Sequence, residues 1–102
     1  MYKVKIIVVC GSGVAMAMHA AYKLRQYLEE QKLFVHIDGS GNNELAGRIN
    51  SYDMVVSNAQ VTVETDKPVF SAIPLITGVG EKELVEKIIA KVKEIQDAKN
   101  TN

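Results

Sequence analysis

The run Val4-Lys5-Ile6-Ile7-Val8-Val9 ends in Cys10-Gly11-Ser12-Gly13, and from Val14 the apolar residues recur at helical spacing. Five β-branched residues interrupted by one lysine read as a strand buried on both faces, as in a parallel sheet. Parallel strands cannot be joined by a tight hairpin and need a crossover, usually a helix. This junction therefore commits the chain to βα units. A chain of 102 residues has room for one such domain with one core.

The remaining pattern extends that unit. From Val14 to about Gln31, the residues Val14, Met18, Ala21 and Leu28 form one apolar stripe with Ala17 and Leu24 beside them, opposite Arg25, Glu29 and Lys32. Leu33–Ile37 reads as a second strand closed by the turn cluster Asp38-Gly39-Ser40-Gly41. Asn42-Asn43 offers a cap for a short helix burying Leu45, Ala46 and Ile49. Met54–Val56 is a third strand, and Pro68 opens a fourth at Val69–Ile73. Gly78-Val79-Gly80 precedes the clearest helix, Glu81–Lys99, with Leu84, Val85, Ile88, Val92 and Ile95 on one face. Ser57–Lys67 reads as a polar loop.

The order β-α-β-α-β-β-α predicts an α/β fold: a single domain with an ordered core over about residues 3–99, a three-layer sandwich on a four-stranded parallel sheet, flavodoxin/Rossmann-like. Ligand sites in such sheets lie beyond the carboxyl ends of the strands, where the strand order reverses. Cys10, the Asp38 turn, Asn58 and the Gly78–Gly80 loop are expected to converge on that rim.

Cys10 is the single cysteine, so no internal disulfide can form, and a reducing cytosol is the natural setting. A thiol between a strand and a helix faces the positive helix end and the unpaired N–H groups of its first turn, surroundings that favour the thiolate and suit a phosphoryl group. Four readings of Cys10–Ala15 follow. Dinucleotide binding meets Gly11-Ser12-Gly13, but Met16 stands where the third glycine belongs. A cysteine phosphatase requires an arginine six residues after the nucleophile, and that position is again Met16. A phosphoryl carrier needs a thiolate, glycines that let backbone amides from Gly11 to Ala15 wrap the phosphate, and no machinery that activates water. The fourth reading is a buried cysteine before a turn that many α/β folds require.

The bulk properties exclude other classes. Ile6–Val9 is far too short to span a bilayer, and no cleavable signal follows Met1. His19 and His36 with one cysteine make no common zinc pattern, so no metal is expected. A net charge of zero argues against a nucleic-acid binder. Residues 1–32 carry five basic and two acidic side chains, whereas residues 33–80 carry two and five. The basic half suits a partner with an acidic rim, reached through Lys23 and Arg25.

Three blocks carry a family resemblance across nearly the whole chain: the strand Lys5–Val9 with Cys10-Gly11-Ser12-Gly13-Val14-Ala15, then Tyr52-Asp53-Met54-Val55-Val56 with Ser57–Val61, then Ile73-Pro74-Leu75-Ile76-Thr77-Gly78-Val79-Gly80. The sequence resembles the cytoplasmic IIB component of the bacterial phosphoenolpyruvate-dependent sugar phosphotransferase system, most closely the galactitol type. The resemblance implies that Cys10 takes a phosphoryl group from a phosphohistidine of a IIA component and gives it to a sugar bound in the membrane-embedded IIC component. It implies Gly11, Ser12, Gly13, Val14 and Ala15 as the phosphate loop, no cofactor, and a cytoplasmic protein that meets the membrane through IIC. Family members commonly place threonine and serine just after the loop; here Met16 and Ala17 stand there. A regulatory module that kept the fold without transfer is the alternative. Asn58 and Gln60 follow strand three near the expected rim, His19 lies one turn into the first helix, and Met16 offers exposed apolar surface, whereas Met18 is assigned to the core stripe.

Overall fold

The computed structural model describes residues 3–11, 13–33, 35–41, 45–58 and 65–100. Four strands, β1 (Lys5–Cys10), β2 (His36–Gly41), β3 (Met54–Ser57) and β4 (Val69–Ser71), form one sheet in the order β2-β1-β3-β4. Every pair is parallel. The helices are α1 (Val14–Glu30), α2 (Leu45–Arg48, continued by a 3-10 turn at Ile49–Ser51), α3 (Ile73–Thr77) and α4 (Glu81–Asn100). The chain goes from β1 to β2 on one side and returns to β3 on the other. The strand order thus reverses at β1, the arrangement of flavodoxin-like sheets.

Alternation along β1 divides the core. Ile6, Val8 and Cys10 face the layer of α1, α3 and α4, packing with Ala17, Ala20, Leu24, Leu28, Leu75 and Ile88. Ile7 and Val9 face the opposite side and meet Leu45, Ile49, Tyr52 and Val55. The predicted three-layer α/β sandwich with a four-stranded parallel sheet is therefore present. Its second helical layer is thin among the described residues, being α2 and its 3-10 turn.

Several local expectations change. Asp38-Gly39-Ser40-Gly41 is not a turn: it pairs residue for residue with Ile7–Cys10. The glycine at 39 has a packing reason, because a Cβ there would lie 2.9 Å from Met18 Sδ, 3.0 Å from Met18 N and 3.1 Å from Ala17 C. Helix α1 crosses β2 at that point, so only a residue without a side chain fits. The strand begins at His36, since Leu33 N–H donates back to Leu28 O and Lys32 adopts φ 60° at the end of α1. The stripe on α1 holds for Ala17, Ala21, Leu24 and Leu28, but Val14 is 44% and Met18 55% exposed. Alanines at 17, 20 and 21 let the helix sit close to the sheet, which leaves the larger side chains on its shoulder.

The fourth strand stops at Ser71, and Ile73 begins α3. Ser71 Oγ accepts the Ile73 N–H at 3.3 Å, Pro74 lies in the first turn, and Gly78 closes the helix with φ 84°. The predicted Asn42-Asn43 cap, the Ala46 side chain and most of the Ser57–Lys67 loop lie outside the described residues.

Lys23 on α1 ties the helical layer together. Its ammonium pairs with Glu81 at the start of α4 and donates to Leu75 O of α3 at 2.8 Å. The Tyr27 hydroxyl donates to the same Glu81 carboxylate. The Lys23 hydrogen bond, and then that of Tyr27, hold Glu81 below its ordinary value of 4.5. A carboxylate lowered in the folded state contributes stability above its unfolded value and loses it as pH falls through its folded value. Thermal unfolding should show this as a midpoint that drops as pH falls below the ordinary carboxylate range. Glu81→Gln is expected to lower the midpoint at pH 7 and to flatten that acid limb.

Candidate functional site

Cys10 is the last residue of β1 and is 1% exposed. The chain turns at once: Gly13 N–H donates to Cys10 O at 3.2 Å, and Gly13 stands at φ 124°, ψ 170°. That backbone region is essentially restricted to glycine, so the glycine that ends the turn is required by conformation. Gly13 is also the N-cap of α1, with no side-chain cap hydrogen bond. Ala17 N–H closes the first helical bond, onto Gly13 O at 3.3 Å. The N–H groups of Val14, Ala15 and Met16 therefore have no intrahelical acceptor. All three residues are exposed, Met16 by 38%. A sulfur atom thus lies at the floor of a turn whose lip carries helix-start N–H donors, a natural seat for an anion.

Asn58 completes the arrangement. Its main-chain N–H donates to Val9 O at 3.1 Å, which carries the β1–β3 pairing one residue past the strand. Its side chain then reaches back across the crevice between these strands. Oδ1 accepts the Gly11 N–H at 2.8 Å and Nδ2 donates to Cys10 Sγ at 3.0 Å.

Of the residues expected on the rim, Cys10, Gly11, Gly13, Val14, Ala15 and Asn58 are brought together; Ser12 and Gln60 lie outside the described residues. Two groups expected there are elsewhere. Asp38 pairs with Ile7, half-way down the sheet, and its carboxylate accepts from Tyr52 Oη at 2.5 Å and contacts His36 Nε2 at 2.8 Å. Those partners, Tyr52 first, hold its carboxyl below the ordinary value of 3.8. The Gly78–Gly80 loop leads into Glu81, which meets Lys23 and Tyr27, so it borders the middle of α1, roughly 13 Å along the axis from Val14. The cations expected to greet a partner are also engaged internally: Lys23 as above, and Arg25 Nη2 with Ile37 O at 2.9 Å. Met16 and Met18 are both exposed, so the apolar surface beside the loop is larger than expected. His19 is exposed on α1.

The family described as PTS system, Lactose/Cellobiose specific IIB subunit matches residues 5–94, a span running from the first residue of β1 well into α4. The chain belongs to the PTS IIB family. Among relatives, the galactitol-specific EIIB components of Escherichia coli and Shigella flexneri are each 28% identical over 88 residues, covering 85% of this chain and 94% of theirs. Two solved structures share the fold. The lactose-specific IIB domain of Streptococcus pneumoniae superposes with a TM-score of 0.55 at 9% identity, over 94% of this chain and 97% of the other. The Enzyme IIB subunit of the PTS system from Escherichia coli gives 0.54 at 20% identity, over 98% and 99%. As a PTS IIB protein, the chain is a component of a sugar phosphotransferase system. Among the described residues, no helix of this IIB chain is long and apolar enough to cross a membrane.

Asn58 is the site residue that the sequence signals least. It lies in the polar block Ser57–Val61, which marks no particular chemistry, and its cue to a role is its place, directly after a strand neighbouring β1.

Proposed function

We propose that Cys10 is the phosphoryl carrier of this IIB protein. The observation that supports it best is the seat of the sulfur: the end of β1 at the reversal of strand order, beneath the free N–H groups that open α1. A IIA partner presents a phosphohistidine. A lone pair of the Cys10 thiolate attacks phosphorus, the S–P bond forms, and the P–N bond breaks with its electron pair leaving on the imidazole. In delivery, a hydroxyl of the sugar bound in the IIC component attacks phosphorus, the S–P pair returns to sulfur, and the hydroxyl proton passes to water. The names of the relatives point to galactitol or a similar sugar alcohol as acceptor.

The loop Gly11, Ser12, Gly13, Val14 and Ala15 holds the phosphoryl oxygens in this reading, mainly through backbone N–H groups of the α1 start, which neutralise charge without supplying a base for water. Position 16 carries methionine where a phosphatase of this chemistry needs an arginine, so the bond is kept for transfer. The step as written uses no metal or organic cofactor. Such a carrier works in the cytoplasm and reaches the membrane through IIC.

Intact mass tests the reading. After incubation with phosphoenolpyruvate and a soluble extract containing the general phosphotransferase proteins, the protein should gain one phosphoryl group, located on Cys10 by fragmentation. No gain, in an extract that phosphorylates another sugar-system protein, would leave the fold with a regulatory role.

A further inference from the structure

Asn58 spans two atoms of the site with one carboxamide. Gly11 fixes its orientation: a backbone N–H can only donate, so Oδ1 must face it at 2.8 Å and Nδ2 is turned toward the sulfur at 3.0 Å. The root of the side chain is held as well, because Asn58 N–H is bonded to Val9 O. The first turn of α1 has no comparable group. Val14, Ala15, Met16 and Ala17 carry neither a hydroxyl nor an amide.

We propose that Asn58 is the side-chain donor that stabilises charge on the Cys10 sulfur, before the phosphoryl group arrives and again as it leaves, while its oxygen holds Gly11 so that the loop keeps the sulfur in place. This assignment rests on the carrier reading of Cys10. In acceptance, the sulfur lone pair becomes the S–P bond as the P–N pair departs on imidazole. In delivery, the S–P pair returns to sulfur, and the Nδ2–H lies where that charge collects. Hydrogen bonds to charged groups are the stronger kind, and loss of this one should slow delivery by about 10- to 100-fold.

The decisive experiment needs neither a partner nor a sugar. The rate of Cys10 alkylation by iodoacetamide, a neutral probe, is followed against pH for the wild type, Asn58→Ala and Asn58→Asp, with thermal unfolding of each. The plateau rate reports access to the sulfur, and the midpoint of the profile reports how readily it becomes a thiolate. Asn58→Ala is expected to move the midpoint to higher pH and to cut the rate at pH 7 by about tenfold. Asn58→Asp keeps an acceptor for Gly11 but withdraws the donor, and should move the midpoint the same way. An alanine profile with only its plateau altered would reduce Asn58 to a tie for the loop and overturn the proposal, even if aspartate shifts the midpoint through its charge. Should the alanine variant fail to fold, the unaltered chain still decides: alkylation of Cys10 must shift the Asn58 side-chain NH2 resonances, and unmoved resonances would refute the contact. Because alkylation involves no phosphoryl group, these outcomes stand apart from the phosphorylation result.

Discussion

Cys10→Ser is expected to lose phosphoryl transfer by at least about 10³-fold while remaining folded. The substitution changes one atom in a position that is 1% exposed and already faces a side-chain N–H. Serine can accept from Asn58 Nδ2 as the sulfur does, so the buried hydroxyl is satisfied and the stability cost is about 1 kcal/mol. For a domain of this size that is a fall of about 4–8 °C in the unfolding midpoint. What the oxygen cannot do is ionise near neutral pH, and the thiolate is the nucleophile in the proposed step. Quenched-flow phosphorylation beside a thermal melt separates the two effects. A serine variant that transfers within tenfold of the wild type would show that the acceptor atom is elsewhere.

Gly39→Val is expected to damage the scaffold severely, at about 3 kcal/mol. The contact of its Cβ with Met18 Sδ can be relieved by swinging a flexible side chain, but the contacts at 3.0 Å and 3.1 Å are with the backbone of α1. That helix would have to move off the sheet. A domain stable by about 5–15 kcal/mol cannot absorb such a loss unnoticed, and the midpoint should fall by more than about 10 °C. Function should suffer further, because α1 opens within four residues of Cys10 and its first turn supplies the N–H groups of the proposed phosphate loop. Calorimetry and a transfer assay run well below the new midpoint check both parts. Met18→Ala in the same chain should recover only the share due to Sδ; full recovery would mean that the backbone approach is not what excludes a side chain.

The two substitutions mark what was readable in the chain and what was not. Cys10 and the loop after it were legible because a β-branched run, a glycine turn and a helical period stand side by side, each with a local cause. Gly39 was misread for the opposite reason. Asp-Gly-Ser-Gly has the composition of a turn, and only packing of α1 against β2 makes it a strand. The helix at Ile73–Thr77 did carry local signs, a serine two residues ahead that accepts its first N–H, an early proline and a closing glycine, but the β-branched ends of Val69–Ile73 pointed to strand. Asn58 was expected beside Cys10 from its place after strand three, but its bonds needed the third dimension: its side chain joins residues 47 and 48 positions away in sequence. Lys23 and Arg25 look like free surface charge on a helix drawn alone, whereas each is taken up by a main-chain carbonyl of another segment.

Parallel pairing has a further consequence for handling the molecule. Lys5 and Asp53 are joined at the starting edge of the sheet, and Asp53, Pro68, Ile95, Ala98 and Lys99 border one depression there. The first described residues of β1 and the last turns of α4 therefore leave from the same pole, and Cys10 stands at the other, roughly 17 Å away along β1. A tag, a solid support or a fused domain attached through either of these segments would hang below the sheet and leave the thiol unshadowed.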